Sequence, residues 1–219
     1  MFDFPANTIV NRVVPKTRIV EKSRPSSRLK NLLTQQIQQI RWHAKLSSDT
    51  IKIPATPQVP EIQIFHVILK GSEIHPDLLG LLDKTIPQPM LVTIETADQR
   101  IAYSAAYKRP SEADASQWVV GARFTSNYPP ADSITRQPLP VALDLARLYT
   151  ALLQPLLPLT ARRSELLPSL IERCDQHRTL SRRLDQLVAK VNREKQFSRR
   201  VALNQELNRL KAELASFAN

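Results

Sequence analysis

Hydrophobic positions change rhythm several times along the chain, and each rhythm predicts a different element. Up to residue 24, Arg12, Lys16, Arg18, Lys22 and Arg24 interleave with Ile and Val at no clean period. Residues 1–24 therefore read as a basic arm lying along a partner or along its own domain. Pro25-Ser26-Ser27 then opens a helix, and Leu29, Leu32, Leu33, Ile37 and Ile40 continue it at helical spacing to about Ala44. From Glu61 to Lys70 alternation gives way to a continuous apolar run, the pattern of a strand buried on both faces. A short helix is expected from Pro76 to Thr85, followed by strands over Met90–Thr96, Arg100–Tyr107 and Trp118–Phe124. Ala97-Asp98-Gln99 is short enough to force the first two of these into a hairpin. Three strands this close form a meander, so the middle of the chain reads as an α+β domain: a small, mainly antiparallel sheet with helices on one face. A helix over Leu139–Gln154 is expected to cover that sheet.

Beyond Pro158 the period becomes that of a heptad. Leu166, Leu170, His177, Leu180, Leu184, Leu187 and Val191 form one seam, and Leu203, Leu207, Leu210, Leu214 and Phe217 form a second after a polar break at Asn192–Lys195. The simplest fold for two such seams is a C-terminal antiparallel helical hairpin, a coiled coil closed within one chain. A homodimer through one long coiled coil is the alternative. The expected organisation is thus an arm at 1–24, an α+β domain at 25–159 and the hairpin at 160–219.

Charge divides the chain in the same way. Residues 1–60 carry 10 basic and 3 acidic side chains, residues 61–160 carry 8 and 10, and residues 161–219 carry 13 and 7. A near-neutral middle between two basic ends suits a protein that offers its ends to an anion, nucleic acid first. Three glycines, at 71, 80 and 121, are too scattered for any phosphate-cradling loop, which disfavours nucleotide chemistry of the P-loop or dinucleotide kind. Cys174 is the single cysteine, so no disulfide framework forms and a reducing cytoplasm is the expected compartment. No apolar run reaches 18 residues, so no membrane partner is expected.

Candidate chemistry is sparse. His43, His66, His75, Cys174 and His177 show no paired metal-ligand spacing, and the Cys174/His177 pair reads as seam filler; no metal, cofactor or catalytic residue is assigned. A metal-dependent nuclease is the rival reading, with Glu61, Lys70, Asp83, Glu95 and Asp98 as its raw material, although none of these acids begins an acid-x-Lys step on a strand. Tyr107, Lys108 and Arg109 could stack on a base and hold its phosphates; the plainer account is a strand edge guarded by charge. Arg193, Lys195, Arg199 and Arg200 crowd the hairpin turn against one acid, Glu194, and are expected to meet phosphate or an acidic partner. Phe2, Phe4 and Pro5 read as a partner-docking plug, against the plainer packing of both rings onto their own domain.

Several of these segments also carry a likeness. Met1-Phe2-Asp3-Phe4-Pro5, Ile40-Arg41-Trp42, the stretches 82–87 and 106–110, and the pairing of Glu194-Lys195-Gln196-Phe197 with Leu203-Asn204-Gln205-Glu206-Leu207 together resemble an uncharacterised prokaryotic family known only as a domain of unknown function, family 4391. Its members tend to be encoded beside helicases and DNA methyltransferases in restriction-modification or phage-defence loci. The resemblance therefore implies an accessory subunit with a helicase or DNA methyltransferase subunit as partner, and it transfers no catalytic residue.

Overall fold

The computed structural model describes residues 2–114 and 117–217, which divide into two compact units, Met1–Leu156 and Leu157–Asn219. The first unit contains, in chain order, β1 (Phe2–Asp3), β2 (Ile9–Val13), α1 (Lys16–Ser23), α2 (Ser27–Gln36), β3 (Ile37–Ser47), α3 (Ser48–Ile51), β4 (Glu61–Leu69) and α4 (Pro76–Thr85). It continues with β5 (Met90–Glu95), β6 (Ile101–Pro110), β7 (Trp118–Thr125), β8 (Gln137–Pro138) and α5 (Leu145–Leu153). Strands β2 to β7 lie side by side in chain order, and β1 pairs separately with β8. Only β4 and β5 run parallel within the large sheet. A parallel pair needs a crossover, and α4 supplies it. The fold is α+β, with a six-stranded, mostly antiparallel sheet.

Strand β4 sits near the sheet's middle, and its apolar run fills both faces. Phe65, Val67 and Leu69 join Ile37, Ile40, Met90, Val92 and Ile94 in one buried cluster with Ile19 of α1, Leu33 of α2 and Leu78, Leu81 and Leu82 of α4. On the reverse face Ile62, Ile64, Ala44 and Leu46 are buried, as are Leu145, Leu148, Leu152 and Leu153 of α5. Helices therefore cover both faces rather than one. The β5–β6 connection is the expected tight turn: Gln99 takes a left-handed φ of 57°, and the Thr96 hydroxyl donates to Asp98 at 2.6 Å.

Three expectations need correction. The helix from Pro25 stops at Gln36, and β3 starts at the next residue. Two bulges in β3 explain the misleading period, because an extra residue falls between Ile37 and Gln39 and another between Trp42 and Ala44. Ile37 and Ile40 thereby share a face although three apart, while Ala44 is switched to the other; a bulged strand imitates helical spacing. Next, the residues read as an arm are built into the domain. β2 extends the sheet beside β3, and Ile19 of α1 is 2% exposed in the core. An outermost strand with most side chains in solvent leaves no hydrophobic period to read. Finally, α5 starts only at Leu145, where Asp144 accepts from Arg147 N–H at 2.7 Å, so Val141 and Leu143 lie exposed ahead of it.

The second unit holds α6 (Leu167–Arg193) and α7 (Phe197–Ser216). Leu187, Leu207 and Leu210 are buried together, with Leu180, Leu184 and Leu203 packed against them. Leu166, expected at the head of the seam, is exposed and precedes α6. The unit's other end is tied by Arg173, which meets Glu165 at 2.7 and 2.9 Å and donates to the carbonyls of Thr160 and Phe217. That pairing, with the Arg162 N–H, holds the Glu165 carboxyl down at about 2. Among the described residues no helix is long and apolar enough to cross a membrane.

Candidate functional site

The four cations expected at the turn sit together where α6 gives way to α7. Arg193 closes α6, Lys195 lies in the connection, and Arg199 and Arg200 occupy the first turn of α7. All four are exposed, and among the described residues none has an ion-pair partner. Three other cations of the unit do have acidic partners, Arg173 with Glu165, Arg183 with Glu206 at 2.9 Å and Arg178 with Asp175. Cations at a helix N-terminus also oppose the helix dipole, so Arg199 and Arg200 do not stand there to stabilise α7. Between them and Lys195 lies Phe197, 82% exposed. Sequence reasoning assigned Phe197 no role; its signal was an aromatic residue placed in a polar break, six residues before the seam resumes at Leu203.

The second expected cluster, Tyr107-Lys108-Arg109, is dispersed by the pleat of β6. Successive side chains in a strand point to opposite faces, and Lys108 points inward with 0% of its side chain exposed. Its Nζ stands 3.1 Å from Asp83 of α4 and donates to the carbonyls of Ile86 and Gln88. Asp83 also receives Arg123 of β7, whose other nitrogen donates to Ser104 at 2.9 Å. Burial pushes the Lys108 ammonium down from the ordinary lysine range, and Asp83 opposes that shift. Lys108 is thus part of an ionic lock between helix and sheet and is removed from any phosphate-binding surface. Tyr107 is half-buried, its backbone crowded by Gly121, where an added Cβ would lie 3.3 Å from the Tyr107 carbonyl oxygen. Arg109 pairs with Glu112 at 3.2 Å.

Phe2 and Phe4 are likewise packed against their own unit. β1 pairs with β8, and the Phe4 ring stands edge-on to His43 at 5.7 Å. Both phenylalanines are half-buried and line a cavity of about 390 Å³ on the sheet's reverse face, which removes part of the cost of leaving the rings in water. Opposite them His66 of β4 meets Glu95 of β5 at 2.8 Å, with Thr93 beside them. His43 is held below the ordinary histidine range by burial, and next by His66, Arg136 and Arg41. Burial pushes the nearby Tyr103 phenol up to about 12. Pro5 remains exposed.

The acids available to a nuclease do not converge. Glu61 pairs with Lys45 at 2.6 Å, Lys70 donates to the Thr34 carbonyl, Glu95 holds His66 and Asp83 is locked in the core. Glu61 and Lys70 lie at opposite ends of β4, roughly 30 Å apart at the rise of a strand. Among the described residues no group of three or more His, Cys, Asp or Glu side chains could hold a metal ion.

The pattern that this geometry carries, from the Phe2-Asp3-Phe4 cap to the Leu207 and Leu210 seam, coincides with one family description. Residues 2–214 match the family described as Domain of unknown function (DUF4391). The chain belongs to that family. The match runs through both compact units, so the DUF4391 pattern takes in the α+β sheet as well as α6 and α7. No curated protein and no solved structure matches the chain.

Proposed function

We propose that this DUF4391 protein is a non-enzymatic accessory subunit of a DNA-processing or phage-defence assembly, and that it contacts nucleic acid through the α6–α7 turn. The observation that carries the proposal is the exposed group of Arg193, Lys195, Arg199 and Arg200 around the exposed Phe197 ring. Cations pair with phosphates irrespective of sequence, and an aromatic ring among them stacks on an unpaired base. We read the supporting helices as an intramolecular antiparallel coiled coil, on the strength of the buried Leu187, Leu207 and Leu210. The larger partner is a helicase or DNA methyltransferase subunit, and the compartment is cytoplasmic, where the buried Cys174 thiol stays reduced.

Fluorescence anisotropy on a labelled single-stranded oligonucleotide and its duplex tests the contact. With four phosphates engaged, log K should fall with log salt at a slope of about −3 on the single strand and about −3.6 on the duplex. Replacing all four cations by Gln should abolish the salt-dependent binding, and Phe197→Ala should weaken single-strand binding by about 1–3 kcal/mol while sparing the duplex. Wild-type binding by the four-fold Gln variant would refute the reading. Pull-down of a helicase or methyltransferase from the native host tests the partnership separately.

A further inference from the structure

A cleft of about 650 Å³ opens on the face of the sheet bordered by α1 and the end of α4. Its volume lies within the range of small-molecule sites. Phe65, Trp42, Ile19 and Ile86 give it apolar walls. Two buried polar atoms in those walls lack partners among the described residues, the indole Nε1 of Trp42 and the amide Oε1 of Gln63. The Gln63 assignment follows from chemistry: its amide donates to Glu61 at 2.8 Å, and a carboxylate accepts only, so the NH₂ must face Glu61 and the oxygen is left over. Gln63 is 6% exposed. The cleft thus offers one unused donor and one unused acceptor, and an occupant must bring the complement of each.

The rim adds a charge requirement. Arg18 and Lys22 line the cleft from α1, one turn apart and about 6 Å along the axis. Both are exposed, and among the described residues neither has an ion-pair partner. Glu21 is the acid beside them. A simple acyl anion satisfies the rim and the apolar walls but offers no donor to Gln63. A bare aromatic hydrocarbon satisfies the walls alone. A heteroaromatic base supplies a flat apolar face and an edge carrying both donor and acceptor, and a phosphate on the same molecule answers Arg18 and Lys22. We infer that this cleft binds a mononucleotide, with the base against Trp42 and Phe65, its edge read by Gln63 and Trp42 Nε1, and the phosphate held between Arg18 and Lys22. Both polar atoms are buried in the wall of the cleft, so binding on this reading requires the half-buried Trp42 ring to turn. The site is independent of the α6–α7 turn and goes beyond the proposal made for it.

Trp42 is its own reporter once the other tryptophan is removed by Trp118→Phe. Guanosine 5′-monophosphate, N-benzoylglycine and decanoate are titrated against that protein, with emission excited on the red edge of the indole band. Saturable quenching by guanosine 5′-monophosphate with Kd below about 1 mM, and none by decanoate, is the expected result. Arg18→Gln with Lys22→Gln should weaken it about tenfold at unchanged melting temperature, as should Gln63→Leu, while the four-fold Gln variant of the α6–α7 turn should bind as wild type. Equal or tighter binding of decanoate overturns the inference in favour of an acyl site. Binding of N-benzoylglycine without the nucleotide overturns it in favour of an amide-bearing carboxylate. No saturable change with any probe, or undiminished binding by the Arg18/Lys22 variant, overturns it outright.

Discussion

Replacing Asp83 by Asn should be among the most damaging single changes in the first unit. The Asp83 side chain is 2% exposed and neutralises two cations, Lys108 with none of its side chain exposed and Arg123 with 17%. Asn is nearly the same size, so the change removes charge without opening a cavity. It leaves an ammonium and a guanidinium beneath α4 without their shared carboxylate, while the carbonyls of Ile86, Gln88 and Leu79 and the Ser104 hydroxyl still accept from them. Removing one partner of a buried ion pair typically costs about 3–5 kcal/mol, because a charge is stranded. Domains of this size have about 5–15 kcal/mol in total, so the variant should lose a large share of its stability. Lys108→Met tests the cause. It leaves Asp83 and Arg123 paired, and in the double variant one of the two stranded cations is gone. The double variant should therefore be more stable than the two single losses added together, by about 1–3 kcal/mol. Urea unfolding followed by tryptophan emission measures all four proteins. A loss below about 1 kcal/mol for Asp83→Asn, or strict additivity in the double variant, would refute the stranded-charge argument.

Two further outcomes follow from groups held by specific hydrogen bonds. Tyr149 of α5 donates to the Ala106 carbonyl at 2.9 Å and accepts from the Lys108 N–H at 3.2 Å, so Tyr149→Phe strands two backbone groups and should cost about 1–3 kcal/mol in the same urea assay; a loss near zero would mean water replaces the hydroxyl. In the second unit, Glu165 is held at about 2 against an ordinary 4.5, so its contribution is complete above pH ~4.5 and is lost as pH falls toward 2. Glu165→Gln should lower the melting temperature at pH 7 and flatten its decline between pH 5 and 2, and an unchanged acid slope would count against the Arg173 clamp.

What was legible in the sequence was whatever side-chain period encodes directly. β4 announced itself by an unbroken apolar run because both its faces are covered, and α4 and the β5–β6 turn were readable from Pro76, Pro87 and the short polar connection. β3 was misread because its two bulges reset the alternation, and β2 because an edge strand is specified by backbone pairing with β3 rather than by its own side chains. The site residues failed for a related reason. Tyr107, Lys108 and Arg109 are consecutive, and the pleat alone sends the middle one to the opposite face, but only the position of Asp83 on α4 shows that this face is closed. The cleft below α1 was invisible for want of that helix: without α1, Trp42 and Gln63 are two positions on separate strands.

The same comparison changes what the excess positive charge means. Part of the charge in the first block is put to use inside the domain: Lys16 donates to the Ile37 carbonyl, Arg41 to Asn11 and Gln39, and Lys45 pairs with Glu61. Those cations are attached to the sheet they help assemble, and their number says little about a partner. Counting charge by segment weighs them equally with cations that have nothing to hold. The discriminating quantity is charge left unmatched beside an exposed or half-buried aromatic ring on a formed surface, and two such places are the α6–α7 turn with Phe197 and the α1 rim with Arg18 and Lys22. Each is paired with an aromatic ring, Phe197 in one and Trp42 in the other. A solubility device needs charge alone. Cations beside an aromatic face suit an anion that also carries a flat ring, which is the ground on which nucleotides are proposed for both surfaces, in a strand at one and free at the other.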